Sequence, residues 1–328
     1  QHYFRLRFRP SFTNRQDLEK WQEQQIEILL KQIEAKSPYY KKQIQQHDHW
    51  KQFPIVQKKQ WMEAFDSINT LGISQQSALE IALKAEQSRD FSPLLGNTTV
   101  GLSSGTSGNR GLFLVTPKER AKWVAYVLHK ILSPLQLRRR KIAFFLRANS
   151  NLYNSMQSLL FNFKFFDLKE SSDYNLQQLN QYQPHILVAP ASVLRRIAAS
   201  QQAKTITIQP EKILSVAEIL EPRDAEFIQH VFQQTIHQAY QCTEGFLAVT
   251  CEYGTLHFNE DVVKIERQYI DSEKLRYHPI ITDFNRTGQP IIRYLLNDIL
   301  IDKKETCPCG SIFQAIDHIE GRADDVFY

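Results

Sequence analysis

The stretch Gly101-Leu102-Ser103-Ser104-Gly105-Thr106-Ser107-Gly108-Asn109-Arg110-Gly111 holds four of the chain's 11 glycines. Glycine interspersed with Ser and Thr gives a backbone free to take positive φ, with N–H and hydroxyl groups that can turn toward one anion. The stretch reads as a phosphate-holding loop, the alternative being a flexible Gly/Ser linker. It is neither of the two commonest nucleotide fingerprints. Asn109 and Arg110 follow Gly108 where a Walker loop needs Lys and Ser or Thr, and Gly-x-Gly-x-x-Gly does not occur.

Working outward, apolar runs alternate with helical patterns. Strands are expected at 142–146, 163–167, 185–189, 213–216 and about 238–241, with helices at 118–132, 151–161, 174–182, 191–200 and 222–234 between them. Such alternation predicts an α/β fold, a mostly parallel sheet with helices on both faces, whose ligands gather outside the carboxyl ends of the strands. Upstream, Leu18, Trp21, Ile26, Leu29, Leu30 and Ile33 form a helical stripe over 15–36, opened by Thr13-x-x-Gln16 and closed at Ser37-Pro38. Beyond residue 246, short strands separated by turn signals at Tyr253-Gly254 and Asn285-Arg286-Thr287-Gly288 predict an antiparallel, barrel-like unit.

With 42% hydrophobic and 23% charged residues over 328 positions, the chain reads as an ordinary globular protein large enough for two subdomains. No apolar run is long enough to cross a bilayer, and the first ten residues lack the apolar core of a signal peptide, so a cytoplasmic protein is expected. The net charge of +5 is mild. Its densest basic run, Arg138 to Lys141, reads as a solvated strand entry, which argues against a nucleic-acid partner.

Three of the four cysteines sit in a pattern of their own. Cys251 and His257 are equidistant from Gly254, so a hairpin with a loop at 253–255 would set them directly opposite on one face. Cys307-Pro308-Cys309-Gly310 adds two thiolates in a tight turn. Together they make a complete structural zinc set, with Cys242 left free. Free cysteines around a core histidine are the alternative.

The glycine loop resembles the phosphate loop of the adenylate-forming enzymes, namely acyl-CoA ligases, luciferases and the adenylation domains of peptide synthetases. Four later segments resemble that family's motifs in order. They are Val216-Ala217-Glu218, Tyr240-Gln241-Cys242-Thr243-Glu244, Arg293-Tyr294-Leu295-Leu296-Asn297-Asp298-Ile299 and Gly321-Arg322-Ala323-Asp324-Asp325. Gln241 and Asn297 stand where the family has glycine. The Cys-x₅-His and Cys-Pro-Cys-Gly segments, with Ser37-Pro38-Tyr39-Tyr40 and Phe53-Pro54-Ile55, are similar to the phenylacetate-CoA ligase and coenzyme F390 synthetase-like branch.

The resemblance implies activation of a carboxylic acid with ATP and Mg²⁺, then transfer of the acyl group to coenzyme A or to an acyl carrier protein. It places ATP against Ser103, Ser104, Gly105, Thr106, Ser107 and Gly108, with Thr106, Thr243 and Glu244 as catalytic residues and Glu244 as the magnesium ligand. Ala217, Glu218 and Tyr240 would line the adenine slot, Asp298 and Arg322 would reach the ribose, and Asp324 would be the hinge. The acid would lie among Asn149, Asn151, Tyr153 and Gln241. The implied layout is a helical cap part over 1–100, a nucleotide-binding core over 101–245, an antiparallel unit with the zinc knuckle over 246–320 and a hinge over 321–328. On that layout the family's C-terminal lid would lie beyond this sequence. A homodimer stays open. A nucleotide-binding protein without ligase activity and a zinc-stabilised interaction module are the rival readings.

Overall fold

The computed structural model describes residues 12–88, 90, 94–103, 110–131, 139–146 and 161–323. The chain opens with α1 (Arg15–Ile33), whose buried side is Leu18, Gln22, Ile26, Leu29 and Ile33. The helix starts from a different cap than Thr13 and Gln16 predict. Asn14 Oδ1 accepts the backbone N–H of Asp17 at 2.9 Å, and Asn satisfies a first-turn donor as well as Thr does. Ser37 then caps α2 (Pro38–Gln46), with Pro38 at a first-turn position. The short α3 (Lys58–Glu63) and α4 (Phe65–Ile68) and the longer α5 (Gln75–Ser88) follow. Next comes a small antiparallel sheet of β1 (Leu94–Leu95), β2 (Thr98–Leu102) and β3 (Leu112–Val115).

Parallel strands β4 (Arg140–Leu146), β5 (Phe161–Asp167), β6 (Ile186–Ala189), β7 (Lys212–Ser215) and β8 (Ile236–Cys242) come next. They alternate with α7 (Ser172–Tyr182), α8 (Ala191–Gln202) and α9 (Pro222–Phe232) and follow α6 (Pro117–Ile131). Their order across the sheet is β5-β4-β6-β7-β8. Strand β4 shows why both faces are covered: Ile142 and Phe144 pack with Leu128 of α6, whereas Ala143 and Phe145 join the cluster holding Leu179, Leu194 and Ile228 of α7, α8 and α9. Alternate residues of a strand point to opposite faces, so an unbroken apolar run needs helices on each side. The expected helix over 151–161 lies outside the described residues except at Phe161, which begins β5 instead.

The antiparallel half consists of β9 (Gly245–Thr250), β10 (Leu256–Phe258), β11 (Val263–Tyr269), β12 (Arg276–Asp283), β13 (Tyr294–Leu295), β14 (Asp298–Asp302) and β15 (Ala315–Arg322). It continues the same sheet in the order β11-β12-β14-β15-β10-β9-β8, with β13 on β12. The large sheet therefore changes from parallel to antiparallel at the β8–β9 pair.

Two ties bring distant segments to that junction. Val56 bridges Tyr294, with Val56 N–H donating to Arg293 O and Leu295 N–H to Val56 O, both at 3.0 Å. This sets α3 beside β13. Glu119, in the first turn of α6, makes a reciprocal cap with Thr116, its Oε2 accepting Thr116 N–H at 2.8 Å while Thr116 Oγ1 accepts Glu119 N–H at 3.3 Å. Its Oε1 accepts the N–H groups of Thr287 at 2.6 Å and Gly288 at 2.7 Å. A Cβ on Gly288 would stand 2.8 Å from Thr116 Cγ2, so glycine permits this approach.

Glu119 is buried, and Glu119→Ala would leave several backbone donors without an acceptor. The expected loss is about 3 kcal/mol of folding stability, read as a lowered urea midpoint. An unchanged midpoint would show that the carboxylate does not hold the 286–288 turn.

Candidate functional site

The glycine loop springs from a closed neck. β2 and β3 pair up to Leu102↔Leu112. Ser103 N–H then donates to Gly111 O at 2.8 Å, and Ser103 Oγ accepts Gly111 N–H at 2.8 Å and Lys58 Nζ at 3.3 Å. Arg110 donates to Ser103 O at 3.1 Å and forms a two-point ion pair with Glu86 of α5. Ser104, Gly105, Thr106, Ser107 and Gly108 lie outside the described residues. Gly101 is not part of the loop: it sits within β2, where an added Cβ would fall 2.2 Å from the Phe113 ring. Close packing, rather than freedom of φ, accounts for this glycine.

The Tyr240–Glu244 segment ends one strand and makes the turn into the next. Tyr240, Gln241 and Cys242 belong to β8, and Thr243-Glu244 is the turn into β9. The register slips between Tyr240 and Gln241, a local irregularity of the kind that re-aims side chains. Thr243 Oγ1 donates to Glu244 Oε2 at 2.8 Å. Burial, then the Glu244 charge, pushes the Tyr294 hydroxyl pKa above its ordinary range.

One step away, Tyr240 OH donates to Asp298 Oδ2 at 2.5 Å. The Tyr240 ring is buried, and its tie to Asp298 is a contact the sequence did not reveal. Asp298 and Arg322 are partners in the β14–β15 register, with Arg322 Nε 3.9 Å from Asp298 Oδ1. Burial raises the Asp298 pKa, opposed by the Tyr240 hydrogen bond and Arg322 and reinforced by Glu244. Two carboxylates, two phenols and a guanidinium thus form one electrostatic unit.

Other expected residues have different surroundings. Ala217, just past β7, has φ of 65°. Glu218 Oε2 accepts Ser192 N–H at 2.9 Å, serving the first turn of α8. Gln241 Oε1 accepts Trp123 Nε1–H at 3.1 Å, which directs it toward α6. Asn149, Asn151, Tyr153 and Asp324 lie outside the described residues.

Residues without a sequence signal complete the site. Lys58, Trp61, Gly111, Thr243, Glu244 and Arg286 are among the residues lining one cleft. Arg286, noticed in the sequence only as part of a turn, donates to Thr243 O at 3.2 Å, Leu114 O at 3.4 Å and Gln289 Oε1 at 3.3 Å. Nearby Asp283 has its pKa pushed up to about 6, burial outweighing the favourable Arg286 charge.

Cys251, His257, Cys307 and Cys309 place one ligand atom each within 4.8 Å of all the others. The hairpin register differs from the expected one. His257 stands opposite Val249, and Cys251 N–H donates to Thr255 O, so the loop is 252–254 and Cys251 is diagonal to His257. Gly254, with φ of 77°, is the last loop residue rather than its centre. Cys251 and Cys307 sulfurs are 3.6 Å apart, and Cys309 Sγ lies 3.3 Å from His257 Nε2. His257 Nδ1 lies 2.9 Å from Phe313 O. A proton on Nδ1 leaves the Nε2 lone pair facing the sulfurs, the tautomer and orientation a metal ligand requires. The donor chemistry fits Zn²⁺. In the neighbouring turn Asn259-Glu260-Asp261, Glu260 pairs with Arg15 at 2.6 Å and accepts Gln314 N–H at 2.7 Å.

The sequence matches no family model, and no curated protein matches it. Solved structures do match the fold. A 2-hydroxyisobutyryl-CoA ligase in complex with 2-HIB-AMP and CoA superposes with a TM-score of 0.68 at 16% identity, over 94% of this chain and 70% of that one. The amide bond synthetase McbA from Marinactinospora thermotolerans gives 0.50 at 12% identity, over 70% of this chain and 49% of that one. An McyG A-PCP structure complexed with phenylalanyl-adenylate gives 0.50 at 11%, over 76% and 48%. The chain has the fold of the adenylate-forming ligases. Among the described residues, no helix is long and apolar enough to cross a membrane.

Asp283 supplies a pH test of the site's packing. Its raised folded pKa favours the neutral acid, so its contribution to stability is full below its ordinary pKa of 3.8 and is lost as pH rises through about 6. Asp283→Asn should therefore gain thermal stability relative to the unsubstituted protein between pH 4 and pH 7. Parallel melting curves for the two proteins would refute this buried acid.

Proposed function

We propose that the protein activates a carboxylic acid with ATP and Mg²⁺, giving an acyl-adenylate and pyrophosphate, and then delivers the acyl group to coenzyme A. The observation that carries this reading is the convergence of the loop neck, Glu244 and the Tyr240–Asp298–Arg322 group around the β8–β9 turn. The fold shared with a CoA ligase, an amide bond synthetase and an adenylation domain supports it.

In this reading the Ser103–Gly108 loop, with Thr106, holds the phosphates, and Thr243 donates to the α-phosphate. Glu244 is the hard oxygen ligand for magnesium, which would neutralise the phosphate charge. Asp298 has two carboxylate oxygens for the ribose hydroxyls, with Tyr240 and Arg322 fixing its position. Ala217 and Glu218 border the adenine. The acid occupies the side of Gln241 and the 149–153 loop, and Asp324 is the hinge. Most of the rate comes from positioning the acid's oxygen for in-line attack on the α-phosphorus. The phenylacetate-CoA ligase branch is our finer placement, with a carrier-protein thiol as the alternative acceptor. The four-residue Cys/His set is assigned to structural zinc, and cysteines without disulfides suit the reducing cytoplasm.

Two measurements test these assignments. ATP–pyrophosphate exchange should appear with at least one acid of a varied panel, and Asp298→Asn should weaken AMP binding about tenfold, the loss of roughly one strong hydrogen bond. Tight ATP binding without exchange for any acid would turn the reading toward a nucleotide-binding protein. For the metal, elemental analysis should find about one zinc per chain, lost together with thermal stability in Cys307→Ser. Less than about half an equivalent in the unsubstituted protein would count against the knuckle.

A further inference from the structure

The cleft beside the loop neck carries more positive charge and more open donors than the motif residues explain. Arg286 is 9% exposed, and its hydrogen bonds go to neutral acceptors, Thr243 O, Leu114 O and Gln289 Oε1. Its Nε is buried without a hydrogen-bond partner among the described residues. Across the same cleft, Trp61 is 5% exposed, and its Nε1–H is likewise buried and without a partner. Lys58 Nζ reaches Ser103 Oγ at 3.3 Å and lies against Gly111, whose missing side chain leaves room for it.

Buried donors left unmatched cost stability, and a buried guanidinium whose hydrogen bonds all go to neutral oxygens attracts anions even with the Asp283 carboxyl nearby. The hydroxyl of Thr243 is turned to Glu244, on the acidic side of the cleft. The basic side therefore faces a ligand that brings several anionic oxygens of its own.

We infer that Lys58, Trp61 and Arg286 form a subsite for the pyrophosphoryl end of the nucleotide, holding it before and after its bond to the α-phosphorus breaks. This rests on the adenylation reading. Arg286 and Lys58 supply charge-assisted hydrogen bonds to different oxygens of the anion, and the Trp61 N–H supplies a neutral one. The turn that carries Arg286 is fixed by Glu119, and α3, which carries Lys58 and Trp61, is fixed by the Val56–Tyr294 bridge. All three donors are thus carried by elements anchored outside the glycine loop, with Ser103 at its neck steadying Lys58.

Isothermal titration with inorganic pyrophosphate, ATP and AMP separates the possibilities. Pyrophosphate alone should bind the unsubstituted protein. Lys58→Gln and Arg286→Gln should each weaken pyrophosphate and ATP by about tenfold to a hundredfold, the range for one charge-assisted hydrogen bond, with AMP affinity unchanged. Lys58→Gln removes a half-buried side chain and carries the test if Arg286→Gln fails to fold. Trp61→Phe should cost less than either. No binding of pyrophosphate to the unsubstituted protein, unchanged affinities in Lys58→Gln, or an equal loss for AMP would each overturn the subsite. Absence of AMP binding to the unsubstituted protein would instead sink the adenylation reading, while the pyrophosphate titration still decides this one.

Discussion

The site depends on the change of strand direction at β8. One edge of this strand pairs in parallel with β7 and the other antiparallel with β9. The connection from β8 to β9 is therefore a tight turn, Thr243-Glu244, at the carboxyl end of the last parallel strand. That end is where open α/β sheets gather ligands. A parallel connection there would have needed a long crossover and would have carried the chain away. The reversal instead leaves a hydroxyl and a carboxylate at the mouth of the cleft, close to Asp298 of β14.

Around that turn the site is built from short connections held by long-range contacts. Arg286 stands on the 285–288 turn, which Glu119 fixes to the start of α6. Lys58 and Trp61 stand on a helix of six residues anchored by one bridge to β13. Arg293, with φ of 50°, donates from Nε to Glu266 at 2.9 Å and from Nη1 to Phe53 O at 2.7 Å, holding the same N-terminal segment from its other side. The N-terminal helices are thus a wall of the cleft as well as a cover for the core.

Much of this was legible in the sequence. The β/α alternation over 140–242 was readable because apolar runs such as Ile142 to Leu146 are too long and uniform for a half-exposed strand. The Cys/His set is readable from ligand number but its register is not: Cys251 and His257 are equidistant from Gly254 in sequence, whereas Gly254 fills the last position of the loop. Lys58 and Arg286 were not readable, because nothing local distinguishes them from surface cations. What marks them is contact with Ser103 and with Thr243, 45 and 43 positions away. Gln22 is a similar case, a polar residue inside an amphipathic stripe that donates to Glu260 O at 2.9 Å. Tertiary hydrogen bonding, not helical periodicity, puts it in the core.

The Cys/His cluster and Asp298 are linked through β15. Cys307 and Cys309 precede this strand, and Phe313 O, the partner of His257 Nδ1, lies two residues before its start. The far end of β15 places Arg322 opposite Asp298. Between these points the β14–β15 ladder slips twice, at Ile299/Leu300 and at Ile301/Asp302. A slip of this ladder by one residue would turn every side chain to the other face. Pairing of the beginning of β15 with β10 of the β9–β10 hairpin guards against it. A cluster about 25 Å along the strand from Arg322, at the usual rise per residue, can thereby determine which side chain faces Asp298 without touching the cleft.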